Sequence, residues 1–545
     1  MMQKYKDYFW PLLILGTLFS WLAGYLAHGL FPIDETRYVA IAWEMWHQHS
    51  FALPILNGQA YSHKPPLLFW LIQLGWQFLG VNDWWPRLVP LIFSLASLAL
   101  VARLNTLLFP QGKQTARYAV LILASSWAWI LDSSLVMFDI ILTFFILLAV
   151  LGSTLAIIQQ KKWGWLLYSI GLACGLLTKG PACFIYILSF SILLICFANQ
   201  SSRMKQASLL FASTLLGIAF ASLWIAALFS AIGDTTYLYH LLWTQTAHRV
   251  VKSFAHQHPF WWYLPLLILL FLPWSLIPKT WQVIRNYPSL WQDWTTRLLC
   301  GWILIPLAIF SAISGKQIHY LIPMLPAWSL LLANRMNLNI TKKDLIAPVL
   351  FVIFIAIILI GVNFFHLKAS LTWLQHIPLL ALSALIALAI WLLLDIGLSP
   401  FIKMTFFSLI FIALLQITLG GTAYQNYNTH LVGKLLKEYE IQHRPIGFFG
   451  GHYAGEFNFY GRLQQPILSF SRKEISSWIQ AYPQGVLIIA MRQSDRNAKE
   501  KSLHFQSYRG QYLGLWSSEQ LNTDPRLMHF LMQAGDGDRV KDQVD

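Results

Sequence analysis

The chain alternates long apolar runs with short polar breaks. A hydrocarbon core of about 30 Å is crossed by roughly 20 apolar residues in a helix. By that measure, runs near 9–31, 85–109, 115–131, 137–158, 163–178, 181–198, 206–231, 260–278, 298–314, 319–335, 345–364, 375–394 and 404–421 predict thirteen transmembrane helices. The apolar piece from Leu67 to Leu79 is short and follows Pro65-Pro66, so it reads either as a span or as an interfacial helix. In the first polar break, Glu35 to His47 carries Tyr38, Ile41, Ala42 and Met45 at helical spacing, which predicts an amphipathic helix on the membrane surface. After Gly421 the pattern changes. Pro445 to Phe449, Val486 to Met491 and Tyr512 to Trp516 read as strands, and Leu431 to Tyr439 and Lys473 to Tyr482 as helices. The expected organisation is therefore a membrane domain over 1–421 and a small α/β domain over 422–545, with a frayed polar tail after Gln533 and no internal repeat.

Composition supports this division. Hydrophobic residues make up 57% and charged residues 11%, a balance that excludes a soluble globular protein and points to a polytopic α-helical membrane protein. The net charge of +15 reads as loop bias rather than nucleic-acid binding. With the N-terminus cytoplasmic and 67–80 not crossing, sixteen Lys and Arg fall inside. Eight fall outside before residue 422: Arg37, Lys64, Arg87, Lys179, Arg249, Lys252, Lys316 and Lys368. That follows the positive-inside rule, whereas a crossing at 67–80 would invert every later loop. Thirteen crossings then put the C-terminal domain outside, and the basic N-terminus with the run from Phe9 to Phe31 reads as a retained signal-anchor. Cys174, Cys183, Cys196 and Cys300 lie in apolar runs without a CxxC pair and read as small core residues.

The same topology gathers the chemistry on one face. The 31–84 loop, the turn with Asp132 and Asp139, the Lys179-Gly180-Pro181 turn, the 232–259 loop and the Lys316 to Tyr320 turn are all outer. Asp34 and Glu35, near Arg37 and Tyr38, read either as a working acid pair beside a phosphate clamp or as acids at a helix start. Tyr61 belongs to the same loop. Asp139 sits at the end of a span among bulky apolar residues, a costly position without a partner or a task; Asp132, nearer the turn, is the alternative. Singly, Lys64, Lys179 and Lys316 read as snorkelling lysines, and jointly with Arg37 as an anion site. His63, His256 and His258 read as surface histidines or metal ligands, without a metal-binding spacing. Gly450, Gly451 and Gly455 read as turn glycines.

Taken in order, Asp34-Glu35-Thr-Arg37-Tyr38, His63-Lys64-Pro65-Pro66, Phe138-Asp139-Ile-Ile-Leu-Thr, Leu177-Thr-Lys179-Gly180-Pro181 and Lys316-Gln-Ile-His-Tyr320-Leu-Ile-Pro323 resemble the bacterial branch of the protein-mannosyltransferase-like GT-C glycosyltransferases. Within that branch the likeness is strongest to the lipid A aminoarabinose transferases, and it runs through the whole membrane part. The resemblance implies a GT-C fold and inverting transfer of a sugar from a polyprenyl phosphate carrier to lipid A at the periplasmic face of the inner membrane, with no nucleotide cofactor. It implies Asp34 as the leading catalytic carboxylate, Asp139 as a second acid, Arg37, Lys64 and Lys179 on the donor phosphate, and Glu35, Tyr38, Tyr61, Lys316 and Tyr320 around the substrates. In these transferases a Glu just before the Lys-Pro pair and a His shortly before a Pro-Phe-Trp run hold zinc. Here the Glu is replaced by His63, and His256 and His258 precede Pro259-Phe260-Trp261, which leaves a divalent metal with a different ligand set. A transferase of another polyprenyl-linked sugar is the near alternative, and a transporter of such lipids the distant one. Transporters place charges and broken helices at the bilayer midplane and often repeat internally. The acids and bases here lie at span ends instead.

Overall fold

A computed structural model describes residues 9–198, 202–233, 257–285, 292–336, 339–362, 379–492 and 495–535. The chain forms two compact units. The first comprises Met1–Tyr25, Ser62–Ile357 and Leu380–Leu415; the second comprises Leu26–Tyr61, Ile358–Leu379 and Gln416–Asp545. The first polar loop is thus divided: residues 31–61 group with the C-terminal residues, and residues 62–84 with the helical unit.

The first unit is helical. Among the described residues, seven helices are long and apolar enough to cross a membrane: Phe9–Ala27, Trp84–Leu108, Asp139–Ile157, Arg203–Ile232, Trp294–Ala312, Lys342–Val362 and Pro400–Tyr424. Trp163–Lys179, Ala182–Phe197 and Leu379–Leu393 occupy other expected spans at shorter length, and Leu67–Leu79 is a helix of 13 residues.

Three expected spans are broken. The run 115–131 divides into Lys113–Ala124 and Trp127–Ser133. The Ser125 hydroxyl donates back to the Leu121 carbonyl at 2.6 Å and the Ser126 hydroxyl to Ile122 at 2.8 Å, the back-bonding by which serine competes with a helix ladder. The run 260–278 divides into Phe260–Trp262, Tyr263–Leu270 and Trp274–Leu276, and 319–335 begins as a 3-10 segment, Ile318–Met324, before Leu325–Arg335. Broken backbone deep in a membrane protein needs internal partners. Here two breaks serve each other: the Trp127 amide donates to the Leu272 carbonyl at 2.9 Å, and the Trp274 indole donates to Ser125 Oγ at 2.9 Å and to the Ile122 carbonyl at 3.1 Å.

The second unit holds a hairpin, β1 (Ile55–Leu56) and β2 (Gln59–Ala60), and a five-stranded sheet. The sheet strands are β3 (Ile446–Phe449), β4 (Leu468–Phe470), β5 (Val486–Met491), β6 (His504–Tyr508) and β7 (Gln511–Ser517), in the order β4-β3-β5-β7-β6. β3 is parallel to both neighbours, and β7 is antiparallel to β5 and β6. Every residue of β5 is buried, as a central strand covered on both faces requires. Val432, Leu436, Phe457 and Ile488 lie in the core on one side; Ile475, Trp478, Leu527 and Leu531 lie in the core on the other. The strands and helices expected after residue 421 are present, and Pro525–Ala534 is a further helix; the tail from 536 onward lies outside the described residues.

The amphipathic helix of the first loop is present as Asp34–His47 but does not lie on a surface. From Tyr38 to Met45 it is buried in protein all round. The Trp43 indole donates to the Leu463 carbonyl at 2.9 Å. Glu44, on the face expected to be polar, accepts the Asn57 and Gly58 amides at 2.6 and 2.9 Å and the Asn458 side-chain amide at 2.7 Å. A buried carboxylate satisfied by three donors is a structural anchor rather than a solvated charge. The cysteine reading also changes in part: Cys183 is buried, Cys174 and Cys300 are half-buried, and Cys196 is exposed.

Candidate active site

In the helical unit the chemistry is built by a close antiparallel helix pair, Asp139–Ile157 and Trp163–Lys179. Glycines set the approach. A Cβ at Gly152 would meet the Gly164 carbonyl at 2.6 Å and the Tyr168 amide at 2.5 Å, and one at Gly171 would meet the Ala149 amide at 2.6 Å. Small residues at such crossings let helix backbones touch in a membrane. The pairing brings Asp139, at the start of one helix, to Lys179, at the end of the other, where each charge suits its helix dipole.

Lys179 Nζ lies 2.5 Å from Asp139 Oδ1, and both side chains are buried, at 9% and 1% exposure. Asp139 Oδ2 has no partner among the described residues. The ammonium also lies 4.8 Å from the centre of the Tyr320 ring, within cation–π range. Tyr320 is held through its backbone, its carbonyl accepting the Tyr186 hydroxyl at 2.5 Å. Lys64 Nζ is 6.0 Å from the Phe138 ring, next in sequence to Asp139. Asp132 is buried, its Oδ2 is unpartnered among the described residues, and it interacts electrostatically with Asp139 and Lys179. Four residues singled out in sequence, Lys64, Asp139, Lys179 and Tyr320, thus lie around one helix junction, with Asp132 beside them. The geometry offers a buried ammonium against a carboxylate whose second oxygen has no partner among the described residues.

Lys316, four residues before Tyr320, belongs to the same unit. It is buried, and Nζ donates to the His258 carbonyl at 2.9 Å and the Ile313 carbonyl at 2.5 Å, tying two segments together. The His258 ring stacks on Trp262 at 4.3 Å. His63 is half-buried, and His256 with most of the 232–259 loop lies outside the described residues. Among the described residues no three His, Cys, Asp or Glu side chains gather to hold a metal ion. His256, one of the three expected ligands, lies outside the described residues.

In the second unit the adjacent acids divide the two readings between them. Asp34 Oδ1 accepts Arg37 Nη2 at 2.5 Å and the Tyr38 hydroxyl at 3.2 Å, with Asp34 half exposed. Glu35 is buried and its carboxylate accepts the Phe31 amide at 3.0 Å, closing the helix start. Burial opposes the Arg37 charge, but Tyr61, Tyr38 and Asp34 together more than offset it, so the guanidinium stays protonated. Burial first, then Asp34 and Tyr61, raise the Tyr38 hydroxyl well above its usual range and keep it a donor at neutral pH. Two groups escaped the sequence reading: His452 and the buried Glu456 both interact electrostatically with Arg37. Their only signal was the Gly450-Gly451-His452 run at the end of a strand.

Residues 63–226 match the family model described as dolichyl-phosphate-mannose-protein mannosyltransferase. An undecaprenyl phosphate-alpha-4-amino-4-deoxy-L-arabinose arabinosyl transferase of Yersinia enterocolitica is 28% identical over 62% of this chain and 63% of its own length. A protein of the same name from Pseudomonas aeruginosa is 29% identical over 60% and 59%. The match thus spans about three fifths of these relatives. The crystal structure of ArnT from Cupriavidus metallidurans bound to undecaprenyl phosphate superposes with a TM-score of 0.72 at 15% identity, covering 93% of this chain and 98% of that one, which establishes a shared fold.

Proposed function

We propose that this chain, a membrane protein with the GT-C fold and a family-model match to protein mannosyltransferases, is an inverting glycosyltransferase that moves 4-amino-4-deoxy-L-arabinose from undecaprenyl phosphate to a phosphate of lipid A. The work is done at the periplasmic face of the inner membrane, with the N-terminus cytoplasmic and the C-terminal domain periplasmic. The relatives named for arabinosyl transfer from undecaprenyl phosphate-aminoarabinose support the donor and the sugar, and the buried Asp139–Lys179 pair carries the reading.

In the reaction an acceptor phosphate oxygen attacks the anomeric carbon of the sugar while the bond from that carbon to the carrier phosphate oxygen breaks. The acceptor is anionic at neutral pH, its second pKa being about 6, so a general base adds little. Charge develops on the departing carrier phosphate, and stabilising it is the main task. Lys179 suits that task. Asp139 and the Tyr320 ring hold its ammonium without using all three of its donors, and Lys64 adds a second cation beside Phe138. Asp139 orients the lysine. In the second unit Asp34, half exposed and held by Arg37 and Tyr38, is a carboxylate suited to a cationic group or to a proton.

The test is mass spectrometry of lipid A from cells with and without the protein, beside cells carrying Asp139→Asn or Lys179→Ala. Aminoarabinose addition that depends on the protein and is lost in both variants is the expected result. An unchanged lipid A mass would refute the acceptor. A different mass increment would favour another polyprenyl-linked sugar, the reading that His63, in place of the Glu the resemblance implies, keeps open.

A further inference from the structure

In open α/β sheets, ligands bind outside the carboxyl ends of the parallel strands, at the point where successive connections leave in opposite directions. The sheet here has such a point. From β3 the chain goes to β4 on one side, then crosses to β5 on the other, so the switch lies between β3 and β5. The segment leaving β3 there is Gly450-Gly451-His452. Gly450 has φ +115°, and a Cβ on it would lie 2.3 Å from the Ala490 carbonyl of β5, so only glycine fits against the neighbouring strand. Gly451 has φ +131° and borders open space, and the His452 side chain is exposed. The Gly451 and His452 amides donate to no described residue.

Charged groups from three other places in the same unit converge on this end. The β6–β7 turn carries Arg509 and is set there by the register Met491↔Tyr512. Glu456 closes the loop, its carboxylate accepting the Ala454 amide at 2.9 Å while interacting with Arg509 and Arg37. Gly455 packs toward Ala40 of the Asp34–His47 helix and Leu56 of β1, which brings in that helix. Its Arg37 is paired with Asp34 through one Nη, whereas its buried Nε has no partner among the described residues.

We propose that the Gly450–His452 loop and Arg37 form one phosphate subsite, in which the free Gly451 and His452 amides, the His452 ring and the guanidinium bind a phosphate group on a substrate headgroup. The inference rests on the transferase reading for the identity of that substrate, whose phosphate is either the carrier's or the acceptor's.

The experiment measures equilibrium binding to the full chain in nanodiscs of undecaprenyl phosphate, glucosamine 1-phosphate and phosphate-free glucosamine, for the wild type, His452→Ala and His452→Gln. His452 is exposed, so its variants fold. The expected result is about tenfold weaker binding of one phosphate ligand by His452→Ala, partial recovery in His452→Gln, and no effect on glucosamine. Loss confined to undecaprenyl phosphate assigns the subsite to the carrier, and loss confined to glucosamine 1-phosphate assigns it to the acceptor headgroup. Equal affinities in wild type and variants, or no binding of either phosphate to the wild type, would overturn the subsite. Binding that depends on His452 in a protein that leaves lipid A unmodified would keep the subsite and reject the transferase reading.

Discussion

At the scale of residues, the Asp139–Lys179 pair sets the sharpest expectations. Breaking a buried ion pair from one side leaves an uncompensated charge and costs about 3–5 kcal/mol. Lys179→Ala should therefore lower thermal stability in detergent and cut sugar transfer by at least about 100-fold, the scale seen when one electrostatic donor to a developing anion is removed. The double variant Asp139→Asn/Lys179→Gln should regain most of the stability and none of the activity. A double variant that recovers transfer would reduce the pair to a structural clip. Glu456 gives a prediction with a sign. Its folded pKa lies above the ordinary 4.5 because of burial, so the folded state holds the proton more tightly than the unfolded chain does. Its contribution to stability is full below about pH 4.5 and is lost as pH rises toward the folded value. Melting temperatures of wild type and Glu456→Gln from pH 4 to 8 should show the variant gaining on the wild type as pH rises.

At the scale of elements, close approaches decide which substitutions the fold accepts. Gly180 ends the Trp163–Lys179 helix at φ +67° with nothing near its missing Cβ, so Gly180→Ala should cost only the left-handed strain of about 1–2 kcal/mol. Gly450→Ala adds an overlap with the β5 backbone to its strain and should open the sheet to limited proteolysis that Gly180→Ala does not cause. The Asp34–His47 helix was legible from its apolar spacing, but its setting was not. An amphipathic pattern reports that one face is apolar and is silent on whether its polar face meets water or buried amides. Glu44 is where that silence misled. Glu44→Ala would strip the Asn57, Gly58 and Asn458 donors of their acceptor and should destabilise the protein by about 3 kcal/mol or more. Chemical denaturation followed by tryptophan fluorescence would measure the loss, and an unchanged midpoint would reject the anchor role.

At the scale of the whole molecule, the bias of basic residues predicts orientation. Alkaline phosphatase fused after residue 535 should be active, and fused within the 109–112 turn inactive; the opposite pattern would invert the topology. What the sequence determined by itself was what depends on local composition: membrane residence, the positions of most helices, the strands β3, β5 and β7, and the candidates Asp139 and Lys179, conspicuous because charge beside apolar runs is costly wherever it falls. What only the tertiary structure decided depends on partners distant along the chain. The Ser125 break is held by Trp274, 149 residues on. Lys316 spends its charge on two carbonyls. Glu35 closes a helix while its neighbour Asp34 meets Arg37, and a glycine pair read as a plain turn stands at the switch point of a sheet. A side chain's role follows from which of its hydrogen bonds remain unspent, and that is known only when the chain has folded.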